Sequence, residues 1–132
     1  MSYVLFFDGC SKGNPGFAGA GAVIYKDDKE IWSKSEYLGK QTNNYAEYYG
    51  LIMGLKWAVD NGIKQLSVNG DSMLVIKQMC GVYSVKSPNL LELYKEAVEL
   101  KSQFETIEFQ HIYRNENERA DELANELVPW LT

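Results

Sequence analysis

Five consecutive apolar residues, Tyr3 to Phe7, run straight into Asp8, Gly9 and a glycine-rich turn, Gly13-Asn14-Pro15-Gly16. A strand apolar at every position has no face to turn to water, so it belongs at the centre of a sheet covered on both sides. An Asp at the end of such a strand is poorly placed for packing and well placed for a site. The chain is therefore read for further acids that could meet Asp8.

After the turn, Ala18 to Tyr25 passes from small residues into β-formers and predicts a second strand. Asp27-Asp28 reads as a hairpin turn, and Ile31, Trp32, Tyr37 and Leu38 mark a third strand ending near Gly39. Short connections make these three an antiparallel meander. Thr42-Asn43-Asn44 offers a helix start, with Asn44 and Glu47 at capping-box spacing. The helix runs from Tyr45 to Asp60 with a stripe of small residues, Ala46, Gly50, Gly54 and Ala58, and stops at Asn61-Gly62. Leu66 to Asp71 is a fourth strand, again ending in an acid. A helix over Ser72–Met79 breaks at Gly81, and Pro88 opens another that runs to about Gln103. Thr106 to Tyr113 alternates, with Ile107, Phe109, His111 and Tyr113 on one face, as a fifth strand does. A last helix covers about Glu118 to Leu127. The order β-β-β-α-β-α-α-β-α predicts an α/β fold, a mixed sheet with helices on its faces.

The 132 residues fit one domain with a single core, 1–132. Cys10 and Cys80 have no metal-binding or disulfide spacing, no signal-peptide pattern is evident, and no apolar run approaches the roughly 18 residues of a membrane span. A cytoplasmic setting, with no membrane partner, is the expectation. The net charge of −5 argues against a protein that grips nucleic acid through a basic surface, but not against one that meets phosphates through metal ions held by clustered acids.

Four acids are candidates for such a cluster. Asp8 and Asp71 end two strands that, if parallel neighbours, open on the same sheet edge, where α/β sheets bind ligands. Glu47 lies one turn into the first long helix, and Asp121 lies in the last. Clustered carboxylates repel and persist when cations neutralise them; oxygen-only ligands suit Mg²⁺ or Mn²⁺. Each acid also has a purely structural reading: Asp8 as a turn residue, Asp71 as a helix cap, Glu47 as half of a capping box, Asp121 as one more solvated acid. The glycines at 16, 19 and 21 are in the wrong order for a dinucleotide site, and no Walker lysine is present. The single histidine, His111, lacks the nucleophile elbow of a hydrolase triad.

Four blocks, DGCSKGNPG at 8–16, TNNYAEY at 42–48, NGDS at 69–72 and NENERADELAN at 115–125, together resemble type 1 ribonuclease H, in order and spacing and over nearly the whole chain. The resemblance implies a ribonuclease H-like fold, a five-stranded mixed sheet in the order 3-2-1-4-5. It implies metal-dependent cleavage of the RNA strand of an RNA–DNA hybrid by two Mg²⁺ ions, or Mn²⁺, leaving 5′-phosphate and 3′-hydroxyl ends. Asp8, Glu47, Asp71 and Asp121 match the family's metal-binding and catalytic carboxylates. Asn14, Asn43 and Asn44 match positions that read 2′-hydroxyls in the minor groove, and Thr42 one that seats a DNA phosphate. Gly9, Cys10, Ser11 and Ser72 fall in the same blocks, and Met73 directly follows one of them; the resemblance implies substrate contact for all five. The alternative is a module of the same fold that binds hybrid or double-stranded RNA without cutting it. The working species is expected to be a monomer, with double-stranded RNA left open as a second partner.

The chain departs from the family pattern in three places. Where some members carry a basic, Trp-containing protrusion, this one has GVYSVKSPN, with Lys86 its only base and Tyr83 standing for the aromatic that lines the DNA groove. Met73 replaces a groove-reading Gln, so a contact there falls to the backbone. His111 sits inside a predicted strand and is read as structural, and Arg114, in a His-x-x-Arg arrangement with it, as the mobile group near the site.

Overall fold

A computed structural model describes residues 2–129 of the chain, and the apolar opening stretch lies at the centre of its single sheet. Strands β1 (Tyr3–Lys12), β2 (Gly16–Lys26) and β3 (Lys29–Gln41) form the antiparallel meander. Helix α1 (Asn43–Asp60) crosses over to β4 (Gln65–Gly70), which pairs parallel with β1 on its other side. Helices α2 (Met73–Met79) and α3 (Pro88–Lys101) lead to β5 (Thr106–His111), parallel to β4. A 3-10 turn at Arg114–Glu116 precedes α4 (Glu118–Glu126). The strand order is β3-β2-β1-β4-β5, the one the resemblance implies. None of the described helices is long and apolar enough to cross a membrane.

Local chemistry accounts for the main joints. Asp27 and Asp28 both take positive φ, 49° and 69°, the type I′ geometry whose twist matches a two-residue hairpin. Odd residues of β1, Leu5 and Phe7, face α1 and are fully buried. The stripe of small residues lets α1 lie directly on the sheet: a Cβ at Gly50 would stand 2.7 Å from the Asp8 carbonyl oxygen, and one at Gly54 would strike the Leu5 side chain. Even residues of β1 point the other way, towards α4, where Cys10 donates its thiol hydrogen to the Ala124 carbonyl at 3.4 Å. Gly21, beside Asp8 in the sheet, again leaves room for α4 backbone. Helices therefore cover both faces.

Three expectations are corrected. Strand β1 does not end at Asp8: antiparallel pairing with β2 continues to Lys12, whereas the parallel partner β4 stops opposite Phe7. Asp8 is thus in mid-strand, held on one side by β2 and open on the side β4 has vacated. The cap of α1 is Thr42, whose hydroxyl accepts from the Tyr45 N–H at 3.2 Å, and the Asn44–Glu47 capping box does not form because Glu47 is engaged elsewhere. Strand β5 ends at His111, not Tyr113. Ile112 turns inward and donates its N–H to the Gly70 carbonyl, Tyr113 turns out to solvent, and the chain enters the 3-10 turn.

Candidate functional site

Where β4 stops, β1 carries Asp8 into an open cleft of about 510 Å³ whose walls come from β1, the first turns of α1, the β4–α2 junction, the residues after β5, and α4. All four candidate acids line it. Gly9 makes the arrangement possible. Its missing side chain faces α1, where a Cβ would lie 2.3 Å from the Glu47 backbone nitrogen, so the helix rests against the strand and its Glu47 reaches the sheet edge. The Gly9 N–H then donates both to Asp8 Oδ1 (2.9 Å) and to Glu47 Oε1 (2.7 Å). One backbone donor thereby holds two carboxylates that are only 4% and 6% exposed.

Asp71 follows the last residue of β4. Ser72, not Asp71, caps α2, its hydroxyl accepting from the Val75 N–H, so the capping reading of Asp71 falls away. Oxygens of Asp8, Glu47 and Asp71 lie within 4.8 Å of one another. Asp121, on the first turn of α4, faces them across the cleft, its carboxylate about a third exposed and 4.0 Å from the Arg114 guanidinium.

Such crowding has an electrostatic cost that shows in the acidities. Burial pushes Asp8 up from its ordinary 3.8 to about 7; the nearby Asp71 and Asp121 charges add to this, and the bonds with Glu47 and Gly9 oppose it. Glu47 is raised in the same direction, by burial first and then by Asp8 and Asp71. Glu47 Oε2 is buried and without a hydrogen-bond donor among the described residues. Two carboxylates buried side by side, as Asp8 and Glu47 are, resist ionising together unless something positive joins them. The donor set is all oxygen, which fits a hard divalent cation.

The other expected contact residues divide. Gly9, Cys10, Ser11, Asn43, Asn44, Ser72 and Arg114 line the cleft. Asn14 stands at its border, where its amide oxygen accepts the Asn43 N–H at 2.9 Å and so ties the β1–β2 turn to the start of α1. Ser11 braces the same corner, donating to the Gln41 carbonyl and accepting from the Asn14 N–H. Thr42 is occupied as the α1 cap. Met73 and Tyr83 lie outside the cleft wall, both exposed. The segment carrying Tyr83 is nonetheless fixed. The Val82 and Tyr83 N–H groups donate to the Lys77 carbonyl, and buried Gln78 accepts from the Tyr48 hydroxyl and donates to the Ser84 carbonyl. His111, expected to serve packing alone, is half-buried in the cleft wall, its ring edge-on to Tyr113 at 5.6 Å.

Sequence reasoning passed over three residues of this frame. Asn117 is buried and donates to the Phe7 carbonyl at 3.0 Å, supplying the rung that β4 no longer provides. Lys12 donates to Asn125 Oδ1 at 2.7 Å, and Asn125 donates in turn to Asp121. In the sequence, all three look like ordinary surface polar residues; only the alternation of β1, which puts Lys12 on the same face as Asp8 and Cys10, hints at a partner in α4.

The family described as reverse transcriptase-like matches residues 6–127. A ribonuclease HI of Halobacterium salinarum is 42% identical over 124 residues, 93% of this chain and 62% of that protein. Among solved structures, the N-terminal RNase H domain of a Mycobacterium tuberculosis protein superposes with a TM-score of 0.94 at 43% identity, covering 98% of this chain and 100% of that one. LC11-RNase H1 in complex with an RNA/DNA hybrid superposes at 0.90 with 38% identity, covering 96% of each chain. The chain spans 36% of the length of the mycobacterial proteins it matches at 45% identity.

Proposed function

The chain belongs to the ribonuclease H family, and on that premise we propose that it is a metal-dependent endoribonuclease that cuts the RNA strand of RNA–DNA hybrids, leaving 5′-phosphate and 3′-hydroxyl ends. The observation that carries the reading is the unfinished charge balance at Asp8, Glu47 and Asp71. Three carboxylate oxygens stand within 4.8 Å of one another, and Glu47 Oε2 is buried with no hydrogen-bond donor among the described residues. A pure binding module of net charge −5 would gain by losing those acids. The hybrid bound by LC11-RNase H1, a structure of the same fold, supports the same choice of partner.

Asp8, Glu47 and Asp71 would hold one Mg²⁺ (or Mn²⁺), and Asp121 would share a second with them. Held there, such a pair would supply activation of a water and neutralisation of charge on the leaving 3′-oxygen. The chain's own residues do the rest. The Gly9 N–H fixes the directions of Asp8 and Glu47, so the donor oxygens are arranged before substrate arrives. Asn43 and Asn44, on the first turn of α1, offer amides that both donate and accept, the chemistry that suits a 2′-hydroxyl in a wide minor groove. Asn14 keeps its carbonyl on α1 and is left with its NH₂ for RNA. Ser11, Cys10 and Ser72 line the same cleft as these amides and the acids. Arg114 brings the exposed positive charge closest to Asp121, where a phosphate would pass on its way in or out. Thr42, whose hydroxyl caps α1, and Tyr83, on a segment braced by Gln78, would meet the DNA strand. The working species is taken to be a cytoplasmic monomer.

The reading is tested by offering the chain, with Mg²⁺, a labelled hybrid, a DNA duplex and an RNA duplex of one sequence. Cleavage confined to the RNA strand of the hybrid is expected, with double-stranded RNA cut far more slowly. Asn43→Ala should raise KM for the hybrid several-fold, since one lost neutral hydrogen bond is worth about 0.5–1.5 kcal/mol. Equal cleavage of the DNA duplex would point to a transposase-like activity instead, and tight hybrid binding in EDTA with no product in Mg²⁺ would point to the binding module.

A further inference from the structure

Lys12 and Asn125 have no part in the chemistry above, yet they meet across 113 residues of sequence. Lys12 is the last residue of β1, and Asn125 lies in α4 one turn beyond Asp121. The Lys12 ammonium can only donate, so the atom it meets at 2.7 Å must be the amide oxygen of Asn125. That fixes the other end of the amide. Its NH₂ faces the opposite way, and there it donates to the Asp121 carbonyl at 2.8 Å and to Asp121 Oδ1 at 3.3 Å. Turning the amide over would set NH₂ against NH₃⁺ and leave the Asp121 carboxylate facing an acceptor. Lys12 therefore decides which side of Asn125 the carboxylate sees.

Asp121 lacks the support that the two buried acids have. Asp8 and Glu47 are buried and share a backbone donor, whereas Asp121 is about a third exposed, on a helix of nine residues, with the exposed Arg114 at 4.0 Å as its charged neighbour. We propose that Lys12 and Asn125 form a positioning relay that aims the Asp121 carboxylate at the second cation, so that Lys12 supports the metal centre through Asn125. The proposal rests on the four-carboxylate reading given above. Both line the cleft beside Asp121, and their part is to act through Asp121 rather than on the reacting atoms, as outer partners of metal ligands do elsewhere.

The test is a cycle of Lys12→Met, Asn125→Ala and the double variant, with Lys12→Arg as the conservative replacement. Mn²⁺ is titrated calorimetrically without nucleic acid, and kcat and KM are measured on the hybrid. Each single variant should weaken the second Mn²⁺ equivalent by roughly tenfold. The double variant should be no weaker than Asn125→Ala, because the lysine has nothing to act through once the amide is gone. Lys12→Arg should restore most of the affinity, since guanidinium also only donates. In hybrid cleavage, kcat should fall while KM moves less than about twofold.

Unchanged Mn²⁺ affinity in Lys12→Met overturns the relay. So do effects that multiply in the double variant, and so does a rise in KM with a shallower salt dependence, which would make Lys12 a phosphate contact. Lys12 is exposed, so its variants carry the decision if Asn125→Ala proves unfolded in EDTA. A wild-type chain that binds Mn²⁺ but leaves hybrid intact would remove the ribonuclease reading alone, and the binding cycle would still decide the relay. A wild-type chain that binds no Mn²⁺ removes both.

Discussion

Asp71→Asn is expected to abolish hybrid cleavage while leaving the fold unchanged. The two side chains have the same shape, the helix cap beside this position belongs to Ser72, and among the described residues no hydrogen bond or ion pair uses the Asp71 charge. The acid's oxygens lie with those of Asp8 and Glu47 inside 4.8 Å. An amide there replaces an anionic ligand by a neutral group that presents NH₂ as readily as oxygen. Removing a direct ligand should cost more than the ~10–100-fold seen when an outer partner of a metal ligand is lost. The same change relieves Asp8, because the Asp71 charge is one of the causes of its raised pKa. Metal-free Asp71→Asn should therefore unfold at a temperature no lower than wild type near pH 7.5. Single-turnover cleavage and thermal unfolding in EDTA check both halves. Activity within a few-fold of wild type would remove Asp71 from the metal set.

Asp8→Asn should show the stability effect more strongly, a more stable protein with no activity. Asp8 is held in the native state with a pKa of about 7, against 3.8 for the ordinary carboxyl. Between those values the native chain keeps a proton that the unfolded chain has lost, so stability falls as pH rises. The favourable contribution is complete below about pH 4 and gone once pH passes through 7; Glu47, raised by the same burial, acts in the same direction. At about 1.4 kcal/mol per pKa unit, the gap sets a ceiling of about 4 kcal/mol, and about 1–3 kcal/mol is expected after local relaxation. The asparagine never ionises, keeps an oxygen for the Gly9 N–H, and offers its NH₂ to Glu47. In EDTA, unfolding temperatures from pH 4 to 9 should fall for wild type and stay flatter for Asp8→Asn, which becomes the more stable of the two above pH 7. Mg²⁺ should restore wild type alone, since ligand binding stabilises only the chain that can bind. A wild type whose stability rises over that range, with Asp8→Asn the weaker at pH 8, would contradict the picture of an uncompensated acid pair.

Much of this was legible in the sequence because it was written locally. The unbroken apolar run Tyr3–Phe7 marks a central strand, the small stripe of α1 marks a helix laid on a sheet, and Asp27-Asp28 marks a hairpin. The strand order came from the resemblance, not from any residue pattern. The misreadings share one cause, competition from partners far away in sequence. Asn44 and Glu47 have capping-box spacing, but Glu47 is drawn to the Gly9 N–H, 38 residues back, and Thr42 takes the cap. Asp8 looks like a strand end because the apolar run stops there; β2 carries the strand four residues further while β4 stops short, and that mismatch opens the cleft. His111 fits the alternation of β5, yet its strand ends on the cleft edge, so a residue with the pattern of a packing position faces the site. The Lys12–Asn125–Asp121 chain could not be read at all before α4 was laid across β1.

The acids gathered beyond the end of β4 should work through divalent cations on the RNA strand of a hybrid. The most direct measurement incubates a hybrid, labelled in turn at each RNA end, with the chain in Mg²⁺ and in EDTA, and identifies the ends of the fragments. Expected are internal cuts in the RNA strand that appear only with Mg²⁺ and carry 5′-phosphate and 3′-hydroxyl groups. Cuts that persist in EDTA, fragments ending in 2′,3′-cyclic phosphate, or an intact hybrid in Mg²⁺ and Mn²⁺ alike would contradict it.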